Sequence, residues 1–265
     1  MKMIEVHNLT KDYGNHRGIF DLSFTVDQGE VVGFLGSNGA GKTTTIRHLM
    51  GFIHPQQGIS KVFDMDTFSA AKQIQSKVGY LPGEISFLND RMTGNEFIRF
   101  MMEIKENVSA EQVRHLVDYF ELDTRIKIKK MSKGTKQKLG LVVAFMHNPS
   151  VLILDEPTSG LDPIMQNKFV ELIKSEKSKG KTIFMSSHIF EEVENTCDRV
   201  LMVKDGHLIA DKGIQSIRDT NKKHYTITFA TPELAKTFTQ VHAGSTFDGN
   251  YKVSFLLDSS VNDLV

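Results

Sequence analysis

Gly36-Ser37-Asn38-Gly39-Ala40-Gly41-Lys42-Thr43 sets a lysine and a hydroxyl directly behind a glycine-rich run. The pattern G-x-x-x-x-G-K-[ST] suits phosphate binding. Its glycines let successive backbone N–H groups converge on phosphate oxygens, and the dipole of a following helix favours the same anion. Lys42 is then placed to neutralise β- and γ-phosphates, and the Thr43 hydroxyl to ligate Mg²⁺. A chance glycine-rich turn is the plain alternative. The flanks argue against it, because Glu30 to Leu35 reads as a buried strand and residues 43 to 50 as a helix.

Asp155-Glu156 closes a second apolar run, Val151-Leu152-Ile153-Leu154. An Asp-Glu pair by itself is usually a solvated strand end. Behind four apolar residues, in a chain that already holds a phosphate loop, Asp155 reads as a direct or water-mediated Mg²⁺ ligand and Glu156 as a group that polarises a water. Ser186-Ser187-His188 follows a third strand-like run. Most lone histidines are structural. His188 is of interest because its strand should lie beside the one that ends in Asp155. There is no HExxH, CxxC or G-x-S-x-G motif.

These groups need a parallel sheet to carry them. Thr182 to Ser186 and Arg199 to Val203 repeat the strand pattern with helices between. Before them, Ile4, Val6 and Leu9, then Phe20, Leu22, Phe24 and Val26, alternate as antiparallel strands do. Residues 84 to 147 are helical in texture, with Thr93…Glu96 and Ser109…Gln112 both fitting the capping-box pattern. The fold class expected is therefore α/β, a parallel core with an antiparallel β region and a helical insertion. A boundary near 213 leaves 214–265 as a small β-α-β appendix, with Asp258-Ser259-Ser260 as a further helix start.

Bulk properties narrow the choice further. Lys plus Arg equals Asp plus Glu, 32 each among 265 residues, so no global basic field argues for nucleic acid. The one cysteine, Cys197, cannot form an internal disulfide; it reads as a small buried hydrophobe and fits a reducing compartment. No apolar leader opens the chain, and the uncharged run from Leu139 to Leu154 is too short to span a bilayer. Neither a signal peptide nor a transmembrane segment is expected.

Tyr13, GSNGAGKTT (36–44), MSKGTKQK (131–138), LILDEPTSGLDP (152–163) and SSH (186–188) occur in that order. Over about residues 2 to 212 the chain resembles the nucleotide-binding subunit of an ATP-binding cassette (ABC) transporter, and in particular the exporter-type cassettes whose permease is a separate chain. The resemblance implies a P-loop NTPase, RecA-like core for residues 1–213, with an antiparallel β subdomain and a helical subdomain over about 84–147. It implies ATP and Mg²⁺ as ligands, with Tyr13 stacking on adenine and residues 36–44 (Gly36, Ser37, Asn38, Gly39, Ala40, Gly41, Lys42, Thr43 and Thr44) holding the phosphates. Thr43 and Asp155 would serve the metal, Glu156 would act as general base, and His188 would meet the γ-phosphate beside Lys42.

By the same resemblance, Ser132, Lys133, Gly134 and Thr135 would contact ATP held by a second cassette, the same chain or a paralogue, head to tail. Ser159, Gly160, Leu161 and Asp162 would cross that interface. The chain would sit peripherally on the cytoplasmic face of the cell membrane, drive a permease, and serve export. Two departures stand out. The common Leu-Ser-Gly-Gly-Gln is here Met131-Ser132-Lys133-Gly134-Thr135, which keeps a hydroxyl, a glycine and a helix start, with Lys133 adding charge where an anion would sit. The loop that couples nucleotide to permease carries Gly83 where a glutamine is usual, followed by Glu84.

Two other readings stay open at this level. Six lysines between 127 and 138 form a basic stretch, but it lacks interleaved aromatics, and no nucleic-acid partner is expected. A soluble ABC-type ATPase of DNA maintenance or translation is the competing class. Against it stand a single cassette and the absence of sustained heptads between Lys42 and Ser132.

Overall fold

Apolar alternation at the start of the chain builds a long hairpin. β1 (Lys2–Asp12) and β2 (Gly18–Asp27) pair antiparallel, with Val6 opposite Phe24 and Leu9 opposite Leu22. The chain then leaves this sheet as β3 (Val31–Leu35), turns through the glycine-rich loop and enters α1 (Lys42–Leu49). It returns through β4 (Gln57–Val62) and β5 (Met65–Asp66), completing a four-stranded sheet in the order β2-β1-β4-β5. The computed structural model describes residues 1–85, 88–105, 108–220, 223–241 and 245–257.

After α2 (Ala71–Lys77) comes β6 (Val78–Leu81), an outer strand of the second sheet. Three helices follow: α3 (Gly94–Ile104), α4 (Ala110–Tyr119) and, beyond a short 3₁₀ turn, α5 (Lys133–Phe145). β7 (Val151–Asp155), α6 (Pro163–Ser178), β8 (Thr182–Ser187), α7 (Phe190–Thr196), β9 (Arg199–Lys204) and β10 (His207–Gly213) complete the first unit. The six-stranded sheet runs β10-β9-β3-β8-β7-β6, parallel except for β10. β3, β7 and β8 are nearly free of polar side chains until their last residues because both faces are covered. Phe24 from the antiparallel sheet meets Phe34 and Phe184 from the parallel one, with ring centroids 5.4–5.8 Å apart. Truncating one such buried ring to alanine costs about 3–5 kcal/mol.

The helix starts follow their caps. Thr93 closes a full capping box with Glu96, whose carboxyl is held below the usual range mainly by the Thr93 backbone N–H. At α4 the expected box is only half formed: Ser109 accepts from the N–H groups of Glu111 and Gln112, with no reciprocal bond from Gln112. Cys197 is buried, and burial pushes its thiol up to about 12, which makes it an inert packing residue.

The chain divides into two compact units, Met1–Gly213 and Ile214–Val265. The second contains α8 (Ile214–Thr220), β11 (Lys223–Thr228), α9 (Pro232–Val241), β12 (Thr246–Phe247) and β13 (Lys252–Leu257). Its sheet, β11-β13-β12, is antiparallel, with Ala235 and Val253 buried among Ile227, Phe229, Phe238 and Phe247. The expected β-α-β pattern therefore gains a leading helix and a short third strand. The helix start expected at Asp258-Ser259-Ser260 lies outside the described residues.

Candidate functional site

The parallel sheet delivers its polar residues to one edge. β3, β7 and β8 are in register, with Leu35 opposite Ser187 and Asp155 opposite Ser186, so the glycine loop, Asp155-Glu156 and Ser187-His188 emerge together. This is the carboxyl edge of the strands, where open α/β sheets bind ligands.

Gly41 caps α1 at φ +106°, and a Cβ there would lie 2.6 Å from Ile19 Cγ2; only glycine fits. A Cβ on Gly36 would lie 2.5 Å from the Val203 carbonyl oxygen, which fixes the loop against β9. Lys42 is 5% exposed and donates from Nζ to the carbonyls of Gly36 (2.9 Å) and Ser37 (3.1 Å), folding back over the loop. Its Nζ also lies 3.3 Å from Glu156 Oε1. Ala40 is buried, whereas Asn38, Gly39, Thr43 and Thr44 line an open cavity of about 430 Å³. Tyr13, half exposed, and Glu156 line the same cavity. So do Arg17 and Gly18, which no spacing in the sequence signals; they reach the cavity because the β1–β2 turn folds over the loop.

Thr43 Oγ1 donates to Asp155 Oδ2 at 2.8 Å, and Ser186 Oγ donates to Asp155 Oδ1 at 2.5 Å. Among the described residues no group of three or more His, Cys, Asp or Glu side chains forms a ready metal cage. Mg²⁺ is ordinarily held by one or two protein oxygens, water and substrate phosphates, so the Thr43–Asp155 oxygen pair fits Mg²⁺.

Glu156 adopts φ +47°, a left-handed conformation that costs a non-glycine residue roughly 1–2 kcal/mol. It is held there from both sides. Its N–H donates to Ser186 Oγ (3.0 Å), and its carbonyl accepts from the Ser159 N–H (3.1 Å) and from Gln137 Nε2 (3.2 Å). The turn aims the carboxylate between Lys42 and His188, whose Nδ1 lies 3.4 Å from Glu156 Oε1. A second cavity, about 200 Å³, opens on the other side of Glu156 and is lined by Ser159, Gly160 and His188.

The MSKGTKQK segment begins a helix. Ser132 caps α5, its Oγ accepting from the Thr135 N–H at 3.1 Å and lying 2.9 Å from Thr135 Oγ1. Lys133 is exposed, and its Nζ donates to Ser159 Oγ at 2.8 Å. Gly134 packs so tightly on the 156–162 turn that a Cβ would lie 2.5 Å from the Gly160 carbonyl oxygen. Leu161 is buried, and Asp162 caps α6 by accepting from the Met165 N–H at 3.0 Å. The lysine stretch is partly spent within the fold, since Lys136 pairs with Asp90 at 3.1 Å.

Gly83 abuts the site: a Cβ there would lie 2.9 Å from Asp155 Oδ2. Glu84 is exposed and is absent from the lining of the 430 Å³ cavity. On the far side of the same loop, Phe52, Tyr80, Pro82, Met101 and Ile104 line a mostly apolar groove of about 460 Å³. Phe52 and Ile104 are about half exposed.

A family model described as "ABC transporter" matches residues 19–159. The chain is 37% identical over 227 residues to the bacitracin transport ATP-binding protein BcrA of Bacillus licheniformis, covering 84% of this chain and 73% of that one. It is 35% identical over 215 residues to the ABC transporter ATP-binding protein NatA of Bacillus subtilis, covering 78% and 86%. Among solved structures, the ATP-binding subunit of an ABC transporter superposes with a TM-score of 0.74 at 30% identity, covering 82% of this chain and 92% of that one. A dimeric cassette bound to ADP and Pi gives a TM-score of 0.71 at 20% identity, covering 80% and 99%, a likeness of fold.

Proposed function

The chain belongs to the ABC transporter family of ATP-binding proteins, and on that premise we propose that it is an ATP-hydrolysing energy subunit which drives a separate membrane permease in export. The observation that carries the reading is the meeting, at one cavity, of Tyr13, Lys42, Thr43 and Glu156, with Asp155 buried behind Thr43 and His188 behind the carboxylate.

In this reading Tyr13 stacks on adenine, a contact worth about 1–3 kcal/mol. The N–H groups of residues 36–44 and the Lys42 ammonium hold the phosphates. Thr43 and Asp155 would hold Mg²⁺, which would supply neutralisation of phosphate charge. Glu156 accepts the proton of the attacking water, a role worth about 10²–10⁴ in rate. His188 orients the Glu156 carboxylate and meets the γ-phosphate.

Ser132, Lys133, Gly134 and Thr135 serve the nucleotide of a second cassette, head to tail, and Ser159 to Asp162 line that junction. Gly134 and Ser132 present a backbone N–H and a hydroxyl at the start of α5, the chemistry an opposing phosphate needs. Export is supported by relatives named for bacitracin transport and Nod factor export.

Among the described residues no helix is long and apolar enough to cross a membrane. The permease is placed at the 460 Å³ groove, on the cytoplasmic face. Pro82 lines that groove and its neighbour Gly83 touches the Asp155 side, so pressure from the permease reaches the metal-binding oxygen through one peptide unit. In this reading α3 moves with it. Isolation of the full chain from detergent-solubilised membranes tests the assignment. A polytopic partner supports it; recovery on ribosomes or DNA overturns it.

A further inference from the structure

Gln137 lies in α5, one turn after Lys133, and is 1% exposed. Its Nε2 donates to two successive carbonyls, Pro157 at 2.8 Å and Glu156 at 3.2 Å. Its Oε1 is buried without a hydrogen-bond partner among the described residues. A residue needed only for packing would be better apolar at such a place, since burying a polar oxygen unpaired is unfavourable. The side chain is therefore kept for its two donors. Lys133 and Gly134, on the preceding turn, hold Ser159 and Gly160. The segment 156–160 thus rests along the first turns of α5.

The geometry points to Gln137 as a positioning residue for Glu156, one that ties the setting of this carboxylate to the helix that begins at Ser132. The inference rests on the reading above, in which Ser132 engages the nucleotide of the opposite chain. Movement of the α5 start towards that nucleotide carries the carbonyls of 156 and 157 with it. The Glu156 side chain, poised between Lys42 and His188, is reset at the chain's own site. One helix turn then links occupancy of one site to chemistry at the other.

The test uses the full chain with Q137M, which removes both donors at similar volume, and Q137E, which donates only when protonated. For Q137M the affinity for a fluorescent ATP analogue should stay within about twofold while kcat falls about tenfold and the Hill coefficient for ATP drops towards one. Hydrogen exchange in the nucleotide-free chain should quicken across 155–160 and stay unchanged in 151–154. For Q137E, kcat relative to the unaltered chain should rise as pH falls from about 8 to about 6, as the buried carboxyl regains a donor.

Q137M with kcat within about twofold and unchanged exchange overturns the inference. A Q137E profile parallel to that of the unaltered chain does so too, and decides the matter alone should Q137M not fold. The underlying reading fails separately: an E156Q chain that stays monomeric with ATP contradicts the shared sandwich. Exchange and kcat in the single variants still judge whether Gln137 positions Glu156.

Discussion

Lys42 Nζ lies 3.3 Å from Glu156 Oε1, so the cation proposed to meet phosphate and the carboxylate proposed to take the proton of water share one contact. The contact exists because β7 ends in a left-handed turn at Glu156 rather than continuing straight. Ser186 fixes that turn while also holding Asp155, so the proposed metal ligand and the proposed base are set by a single hydroxyl.

Gly83 is predicted to resist replacement. The loop runs so close to Asp155 that a side chain at 83 must push the carboxylate, not supplement it. G83Q should lower kcat by about 3–10-fold and raise the Mg²⁺ concentration needed for half-maximal turnover. A Mg²⁺ titration of ATP hydrolysis checks this; a G83Q chain that turns over faster at low Mg²⁺ would show that glutamine supplies a missing ligand.

The shared-site arrangement predicts complementation. S132A and E156Q chains should each be nearly inactive alone. Mixed, they form dimers in which one site carries both defects and the other carries neither. Phosphate release should reappear on mixing. A mixture no more active than its components argues that each chain works alone.

Two buried histidines make stability depend on pH. Burial holds His48 and His147 at about 4, with Lys11 and Lys105 respectively adding to the effect. The unfolded chain takes up these protons near pH 6.5 and the folded chain does not until about pH 4. Stability is therefore fully present above about pH 6.5 and declines as pH falls towards 4. The urea midpoint should drop across that window, and H147L should flatten the slope. A midpoint unchanged over the window would contradict the burial argument.

Helix capping gives a prediction about folding alone. T93A breaks the complete capping box of α3 and should cost about 0.5–2 kcal/mol in urea unfolding. S109A should cost less, since its box lacks the return bond. Neither should change kcat, because both caps lie outside the nucleotide cavity.

Much of this was legible in the sequence, for definite reasons. The glycine loop, Asp155-Glu156 and Ser186-Ser187-His188 stand behind short apolar runs, and buried parallel strands leave that mark. The sheet order then brings the three together, as their shared strand-end position implied. Spacing was silent where the chain meets itself across the fold. Arg17 reaches the cavity through a turn whose path depends on the β1–β2 pairing. Nothing beside Gln137 in the sequence marks its two bonds, because its partners at 156 and 157 lie outside α5. The bond from Lys133 to Ser159 appears only once α5 lies against the 156–162 turn.

Glu156 is proposed as the base for ATP hydrolysis at a site built by this chain. The most direct measurement is phosphate release by E156Q beside its ATP affinity. Release should fall by about 10²–10⁴-fold with ATP still bound within a few-fold of the original affinity. Turnover in E156Q equal to that of the unaltered chain would contradict it.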